Sequence, residues 1–288
     1  MRRRRLTPYL LIAPGLLWLI VFFVIPLYYS GKLSLYGGDS LEQGFSFDWD
    51  WSNFSDSLSL YDYQFVRSLE YAGAATVLCL LIGYPVAYAI AFKAGKYRNL
   101  LLLAVIAPFF TTYLIRTLAW ETILSDQSPV VDFLKTIGVV PDGGRVLATA
   151  PAVIAGLTYN FLPFMILPLY ASLERIDQRL IEAAGDLYAN GRTAFRKVTL
   201  PLTAPGIVAG TLLTFIPAMG DYVNAFFLGG PNNRMIGNTI QSLYITQRSY
   251  PSAAALSFVL MAGIMAIVLI YIRFAGSEAL MGEEEAPA

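Results

Sequence analysis

Six apolar runs, at about residues 9–29, 69–92, 100–124, 150–173, 205–228 and 253–274, constrain this 288-residue chain more than any other feature. Each is long enough to cross a hydrocarbon core of about 30 Å at about 1.5 Å of rise per residue. No water is available there to satisfy backbone N–H and C=O groups, so a spanning segment of this kind bonds within itself as a helix. Composition agrees: 56% of residues are apolar and 14% charged, with a mean hydropathy of +0.57, too apolar for an ordinary soluble domain. The expected fold class is all-α, a polytopic membrane protein with six transmembrane helices.

The basic residues orient the chain. With the N-terminus inside, Arg2 to Arg5, Lys93, Lys96, Arg98, Arg175, Arg179, Arg192, Arg196, Lys197 and Arg273 all fall on the cytoplasmic side. These are 13 of the 20. Lys32, Arg67, Lys135, Arg145, Arg234 and Arg248 fall outside, and Arg116 lies within the third run. The positive-inside bias thus predicts both termini to be cytoplasmic. Arg2 to Arg5 could head a cleaved signal peptide, but Ala13-Pro14 is a poor cleavage context and the apolar run continues past it, so an uncleaved first span is expected.

The expected organisation is a cytoplasmic N-terminus and first span over 1–30, an external loop over 31–68, a five-helix core over 69–277 and a cytoplasmic tail over 278–288. The loop holds Phe45, Phe47, Trp49, Trp51 and Phe54 at amphipathic spacing. A second external loop, 125–149, carries Asp126, Asp132 and Asp142, with Pro129, Pro141 and Gly143-Gly144 read as breakers. The loops could receive a delivering protein or cap the outer ends of the bundle. No internal repeat is evident.

Several chemistries are closed to this chain. It has no histidine and one cysteine, Cys79, so a Ser-His-Asp triad, a His-ligated metal, an intramolecular disulfide and a CxxC redox pair are all absent. Gly95-Lys96 lacks the upstream Gly and the following Ser/Thr of a phosphate loop. No metal, cofactor or nucleic acid is expected in this chain, and if it works uphill another chain must supply the energy.

One polar segment interrupts the apolar pattern. Asp177 can cap a helix start, Gln178 to Asn190 contains no breaker except Gly185, and Asn190-Gly191 offers a left-handed stop. Thr193 is expected to start a further turn or two, closed by Pro201. An ordered polar loop of this length between two spans needs a partner to touch. Its Glu-Ala-Ala at Glu182, Ala183 and Ala184, followed by Val198, Leu200 and Pro201, resembles the coupling-helix signature of permease subunits of ATP-binding-cassette importers. That family usually has Gly where this chain has Tyr188, and here Gly191 follows three positions later.

Charges at membrane depth mark a second region. Arg116, Glu121 and Asp221 lie in or near apolar runs, where a central charge costs at least about 2.5 to 3.5 kcal/mol. Arg116 and Glu121 are five residues apart, a poor helical pair, so Arg116 is expected to meet a neighbouring span or a second permease chain. Asp221 follows Pro217 and Gly220 and precedes Tyr222 and Asn224. It reads equally as pathway lining or as a structural interhelical hydrogen bond. Pro85, Pro108, Pro163, Pro168 and Pro217 are expected mostly at packing kinks.

Residues 111–120 (TTYLIRTLAW), 220–232 (GDYVNAFFLGGPN) and 235–241 (MIGNTIQ) resemble the first permease subunit of spermidine/putrescine-type importers. The resemblance runs over most of the chain. It implies a type I importer permease fold in the bacterial inner membrane, working with a second, related permease, two copies of a cytoplasmic ATPase that bind ATP and Mg, and an external substrate-binding protein. It also implies coupling through Glu182, Ala183, Ala184, Asp186, Leu187, Gly191, Leu200 and Pro201, with Arg192, Arg196 and Lys197 around that contact or at anionic lipid. A polyamine needs carboxylates, aromatic faces and hydrogen-bonding groups; Asp221, Glu121, Tyr222, Asn224, Trp120 and Tyr159 supply them. Permeases for ferric iron, aminoethylphosphonate or thiamine share the layout and stay open as alternatives. A secondary transporter would need repeat symmetry and coupling-ion sites, and neither is visible.

Overall fold

The computed structural model describes residues 7–38, 44–141 and 143–275. Arg2 to Arg5, Asp142 and the acidic tail at Glu283 to Glu285 lie outside them. The chain is helical almost throughout, as six apolar runs require. A two-residue antiparallel pair, Tyr36–Gly37 with Ser46–Phe47, is the small departure from all-α.

Two compact units are distinguished: residues up to Asp62 with Thr239–Ala262, and Tyr63–Asn238 with the residues from Gly263 onward. In the first, Thr7–Leu19, Ile20–Val24 and Ile25–Leu33 run on as one helical stretch. Its side chains from Leu11 to Tyr29 are exposed on every side, a surface suited to hydrocarbon or to another apolar helix rather than to water. The Asn53 amide then ties the following turn, donating to the carbonyls of Ser34 at 3.1 Å and Tyr36 at 2.9 Å. Phe45 stacks edge-on against Tyr250.

The expected 31–68 external loop is helical from Ser52 onward. Asp50 Oδ1 accepts from the Ser52 backbone N–H at 2.9 Å, and a helix follows from Ser52 to Phe92, broken only by non-helical Tyr61. The second loop also differs. Pro129, read as a breaker, occupies the first turn of a helix, Pro129–Thr136, where its missing N–H costs nothing. Ser128 caps that helix by accepting from Val130 N, and Asp126 pairs with Arg145 at 2.8 Å.

The second unit is built on Ala150–Glu174, whose buried face includes Leu157, Met165, Leu169 and Leu173. Ala204–Met219 packs along it. Small residues permit the approach: a Cβ on Gly206 would strike Ser172 Oγ and the Pro168 carbonyl, and one on Gly210 would lie 2.8 Å from Met165 Sδ. Close backbone contact of this kind is how apolar helices associate without a hydrophobic driving force.

Among the described residues four helices are long and apolar enough to cross a membrane, or up to six if each of two bent pairs counts as one span. The bent pairs correct the sequence reading. The run at 100–124 is no single rod, because Thr111 and Thr112 are extended and the segments on either side meet at 93°. Pro108 sits just before this bend, whereas Pro163 and Pro168 lie inside one continuous helix. The run at 205–228 ends at Met219, and a short helix, Val223–Phe227, follows the Gly220–Tyr222 break.

Candidate functional site

The polar segment folds as two linked helical pieces. Asp177 caps Gln178–Asp186 by accepting from Arg179 N at 3.0 Å, as its side chain suggested. The stop is elsewhere than expected. Tyr188 takes the left-handed conformation, with φ of +59°, at the position where glycine would adopt it without a Cβ penalty. Asn190 instead starts the next piece, its Oδ1 accepting from Thr193 N at 2.9 Å, so Gly191–Ala194 begins before Thr193. Helical structure then continues through Pro201 to Leu202 rather than closing at the proline.

Glu182, Ala183, Asp186, Leu187, Gly191, Leu200 and Pro201 are exposed, and Ala184 and Val198 half-buried. Leu180 at 49%, Leu187 at 81% and Tyr188 at 100% exposure leave large apolar groups uncovered beside the acidic ones. Phe195 faces the other way and packs edge-on against Tyr84 and Tyr88 of the Ser52–Phe92 helix. At the far end of the Ala150–Glu174 helix, Arg98 pairs with Glu174 and donates to the Tyr170 hydroxyl.

The second region centres on the break after Met219. Asp221 is 7% exposed, and its oxygens are both engaged: Oδ2 accepts from Tyr113 Oη at 2.5 Å and Oδ1 from Asn224 N at 2.8 Å. The bond from Tyr113 joins two separate elements. Asn224, fully buried, donates through Nδ2 to Tyr113 Oη at 2.5 Å and accepts through Oδ1 from Asn160 Nδ2 at 3.1 Å. Thr117 Oγ1 lies 3.4 Å from the same Oδ1. Donation therefore runs in one direction, Asn160 to Asn224 to Tyr113 to Asp221, and ends on a carboxylate, an arrangement in which each bond polarises the next.

Backbone contacts hold the same break. Asn238 Nδ2 donates to the Tyr222 carbonyl at 2.7 Å. Gly237 lies so near that an added Cβ would be 2.6 Å from the Gly220 carbonyl oxygen. Tyr71 donates to Asn233, Arg67 to the Arg234 carbonyl and Ser68 Oγ accepts from Ile236 N, so the loop after the break is fastened to the Ser52–Phe92 helix.

Around this knot the other expected residues divide. Trp120 and Tyr159 meet with ring centroids 5.5 Å apart, Glu121 is half-buried, and the Tyr222 side chain is 45% exposed. Arg116 is buried against the rings of Phe109 and Tyr113 at 5.4 and 5.6 Å, and its Nε and Nη1 have no hydrogen-bond partner. Among the described residues no ion pair joins Arg116 to Glu121 or Asp221. Tyr113, Thr117 and Asn160 were not singled out by the sequence reading. The available signal was Asn160, a lone amide midway along an apolar span.

The model of the family described as "binding-protein-dependent transport system inner membrane component" matches residues 5–280. The chain belongs to this family. Its members are transport components rather than enzymes. The spermidine/putrescine transport system permease protein PotB of Haemophilus influenzae is 40% identical over 257 residues, 89% of this chain and 90% of that one. PotB of Escherichia coli is 39% identical over 89% of this chain and 93% of its own length. The inner membrane ABC transporter permease protein YdcU of E. coli is 32% identical over 74% and 71%.

Among solved structures, a bacterial ABC transporter that imports the acidic polysaccharide alginate superposes with a TM-score of 0.70 at 20% identity, covering 98% of both chains. The alginate transporter in complex with its pentasaccharide-bound periplasmic protein gives 0.69 at 21%, covering 98% of this chain and 96% of that one. These likenesses carry the fold.

Proposed function

We propose that this chain is the permease subunit of an ATP-driven importer of polyamines such as spermidine and putrescine. The observation that carries the reading is 40% identity across 89% of the chain to relatives named as spermidine/putrescine permeases. Six spans with both ends cytoplasmic, in the bacterial inner membrane, follow if each bent pair is one span and the basic residues obey the inside bias. The partners are a second, related permease, two copies of a cytoplasmic ATPase that hold the ATP and Mg, and an external substrate-binding protein.

In this account the exposed face around Glu182, Ala183, Ala184, Asp186 and Leu187, with Gly191, Leu200 and Pro201 behind it, seats in the ATPase. Exposed Leu180, Leu187 and Tyr188 give that contact an apolar component. Arg192, Arg196 and Lys197, also exposed, border it. In the pathway, the accessible Tyr222, Glu121, Trp120 and Tyr159 offer a charge and aromatic faces to a methylene-spaced cation. Asp221 and Asn224 act from behind them by fixing the break, and Arg116, buried against Phe109 and Tyr113, is a structural charge beside it.

Copurification tests the reading. A tagged chain expressed with its transport partners should bring down the ATPase, and ATP hydrolysis should rise when the binding protein loaded with spermidine is added. Recovery of the chain alone, or hydrolysis indifferent to spermidine, would refute it. Orientation is tested by single cysteines in a Cys79→Ala background: Ser55→Cys, at an exposed position, should react with an impermeant thiol reagent from outside, and Thr193→Cys should not. Labelling at 193 in intact cells would invert the topology.

A further inference from the structure

Between the helix pair and the core lies a contact that neither the sequence motif nor the family description assigns. Thr203 is fully buried and sits where Gly191–Leu202 meets Ala204–Met219 at 63°. Its Oγ1 is 3.0 Å from the Thr199 carbonyl and 3.1 Å from that of Leu200. A hydroxyl has one proton, and here it is spent on the preceding turn. Tyr84 Oη, 2.9 Å from Thr203 Oγ1, must then be the donor in the bond between them.

The same Tyr84 ring carries Phe195 edge-on at 5.6 Å, with Tyr88 adding a second ring at 6.3 Å. Tyr84 thus touches the helix pair at Phe195 and the bend at Thr203. The far side of the bend cannot slip, because Gly206 and Gly210 hold Ala204–Met219 against Ala150–Glu174 at backbone distance. A push on the helix pair must either open the angle at Thr203 or move the Ser52–Phe92 helix with it. Ring contacts tolerate sliding, whereas a hydrogen bond between two buried hydroxyls fixes an angle.

We infer that Tyr84 and Thr203 form a pin that passes movement of the helix pair to the Ser52–Phe92 helix, making both of them positioning residues for coupling. The inference rests on the coupling role proposed above for the helix pair. Ser52–Phe92 also carries Arg67, Ser68 and Tyr71, which fasten the loop following the Gly220–Tyr222 break. One helix therefore links the pin to the region of the pathway residues.

The test uses the complete transporter in vesicles, with ATPase, second permease and binding protein, and measures labelled spermidine moved per ATP hydrolysed. Tyr84→Phe and Thr203→Val should each lower that ratio about five-fold, the scale of one net hydrogen bond, while ATP hydrolysis persists. The double variant should be no worse than either single one, because both remove the same bond, and Thr203→Ser should stay near wild type. Should Thr203→Val not assemble, Tyr84→Phe decides alone, since it keeps the ring against Phe195. An unchanged ratio in Tyr84→Phe, losses that multiply in the double variant, or an equal loss in Thr203→Ser would overturn the pin. Wild-type uptake without ATP dependence would overturn the coupling reading as well, and is distinguished by appearing before any substitution.

Discussion

The helix pair over 178–202 and the knot around Asn224 are both polar regions of an apolar chain, and they are polar in opposite ways. In the pair, side chains satisfy their own backbone locally, as Asp177 and Asn190 do, and Glu182, Asp186, Leu187, Tyr188, Arg192, Arg196 and Lys197 face outward. In the knot, Tyr113, Asn160, Asp221 and Asn224 come from separate elements and hydrogen-bond one another in the interior, Asn160 Oδ1 being left without a partner. A locally satisfied region can bear substitution and still fold, so what it loses is the interaction with a partner. A mutually bonded one loses structure first.

The sharpest challenge to this contrast is Asn224→Leu. It leaves Asn160 Nδ2 with only the long contact to Thr117 Oγ1 at 3.5 Å and Tyr113 Oη without its donor, and each buried polar group so abandoned costs about 1–3 kcal/mol. The expected result is a loss of about 1–3 kcal/mol for Tyr113 with a smaller addition from Asn160, read as a large fall in the thermal midpoint and in the yield of assembled complex. Normal yield with a specific transport defect would move Asn224 from support to pathway.

Glu182→Lys should do the reverse. Uptake and spermidine-stimulated ATP hydrolysis should drop about ten-fold or more, the scale of an interface hot spot, at unchanged yield and melting temperature. A destabilised chain, or full transport at normal assembly, would break the contrast from the other side.

Asp221→Asn is a smaller perturbation, because an amide oxygen can still accept one of the two hydrogen bonds. A cost of about 1 kcal/mol is expected, seen as a few degrees of melting temperature, with spermidine uptake per assembled complex within about two-fold of wild type. A ten-fold fall in uptake per complex would return Asp221 to direct contact with the cargo.

Tyr188→Gly is expected to be the mildest and is opposite in sign. Relief of a left-handed non-glycine is worth about 1 kcal/mol, partly offset by the greater freedom of glycine in the unfolded chain. Slower amide exchange over residues 185–190 with unchanged uptake is the expected outcome; faster exchange would mean that the Tyr188 side chain holds the turn.

The same contrast explains what the sequence made legible. Asp177 announces its helix because a cap acts on residues two or three positions away. The stop was misplaced by two to three residues for an equally local reason: Asn190 is drawn to the Thr193 N–H, which needs an extended backbone at φ −71° and ψ 164°, and the left-handed turn falls to Tyr188. Apolar length revealed the spans but not the bend in the third, since hydropathy is continuous across Thr111-Thr112 while the helix is not. The helix beginning at Ser52 was hidden by its polar first turns, although Asp50 stood in position to cap it. Tyr113, Thr117 and Asn160 could not be joined to Asn224 from the sequence, because 64 to 111 residues separate Asn224 from them and only tertiary packing closes that distance.

The central claim is ATP-driven polyamine import through a complex containing this chain. It is tested most directly by labelled spermidine uptake into vesicles holding the complete complex, with and without enclosed ATP and in competition with unlabelled putrescine, ferric iron, aminoethylphosphonate and thiamine. Uptake that requires ATP hydrolysis and is suppressed by putrescine alone is the predicted result. Uptake indifferent to ATP, or suppression by one of the other solutes and not by putrescine, would contradict it.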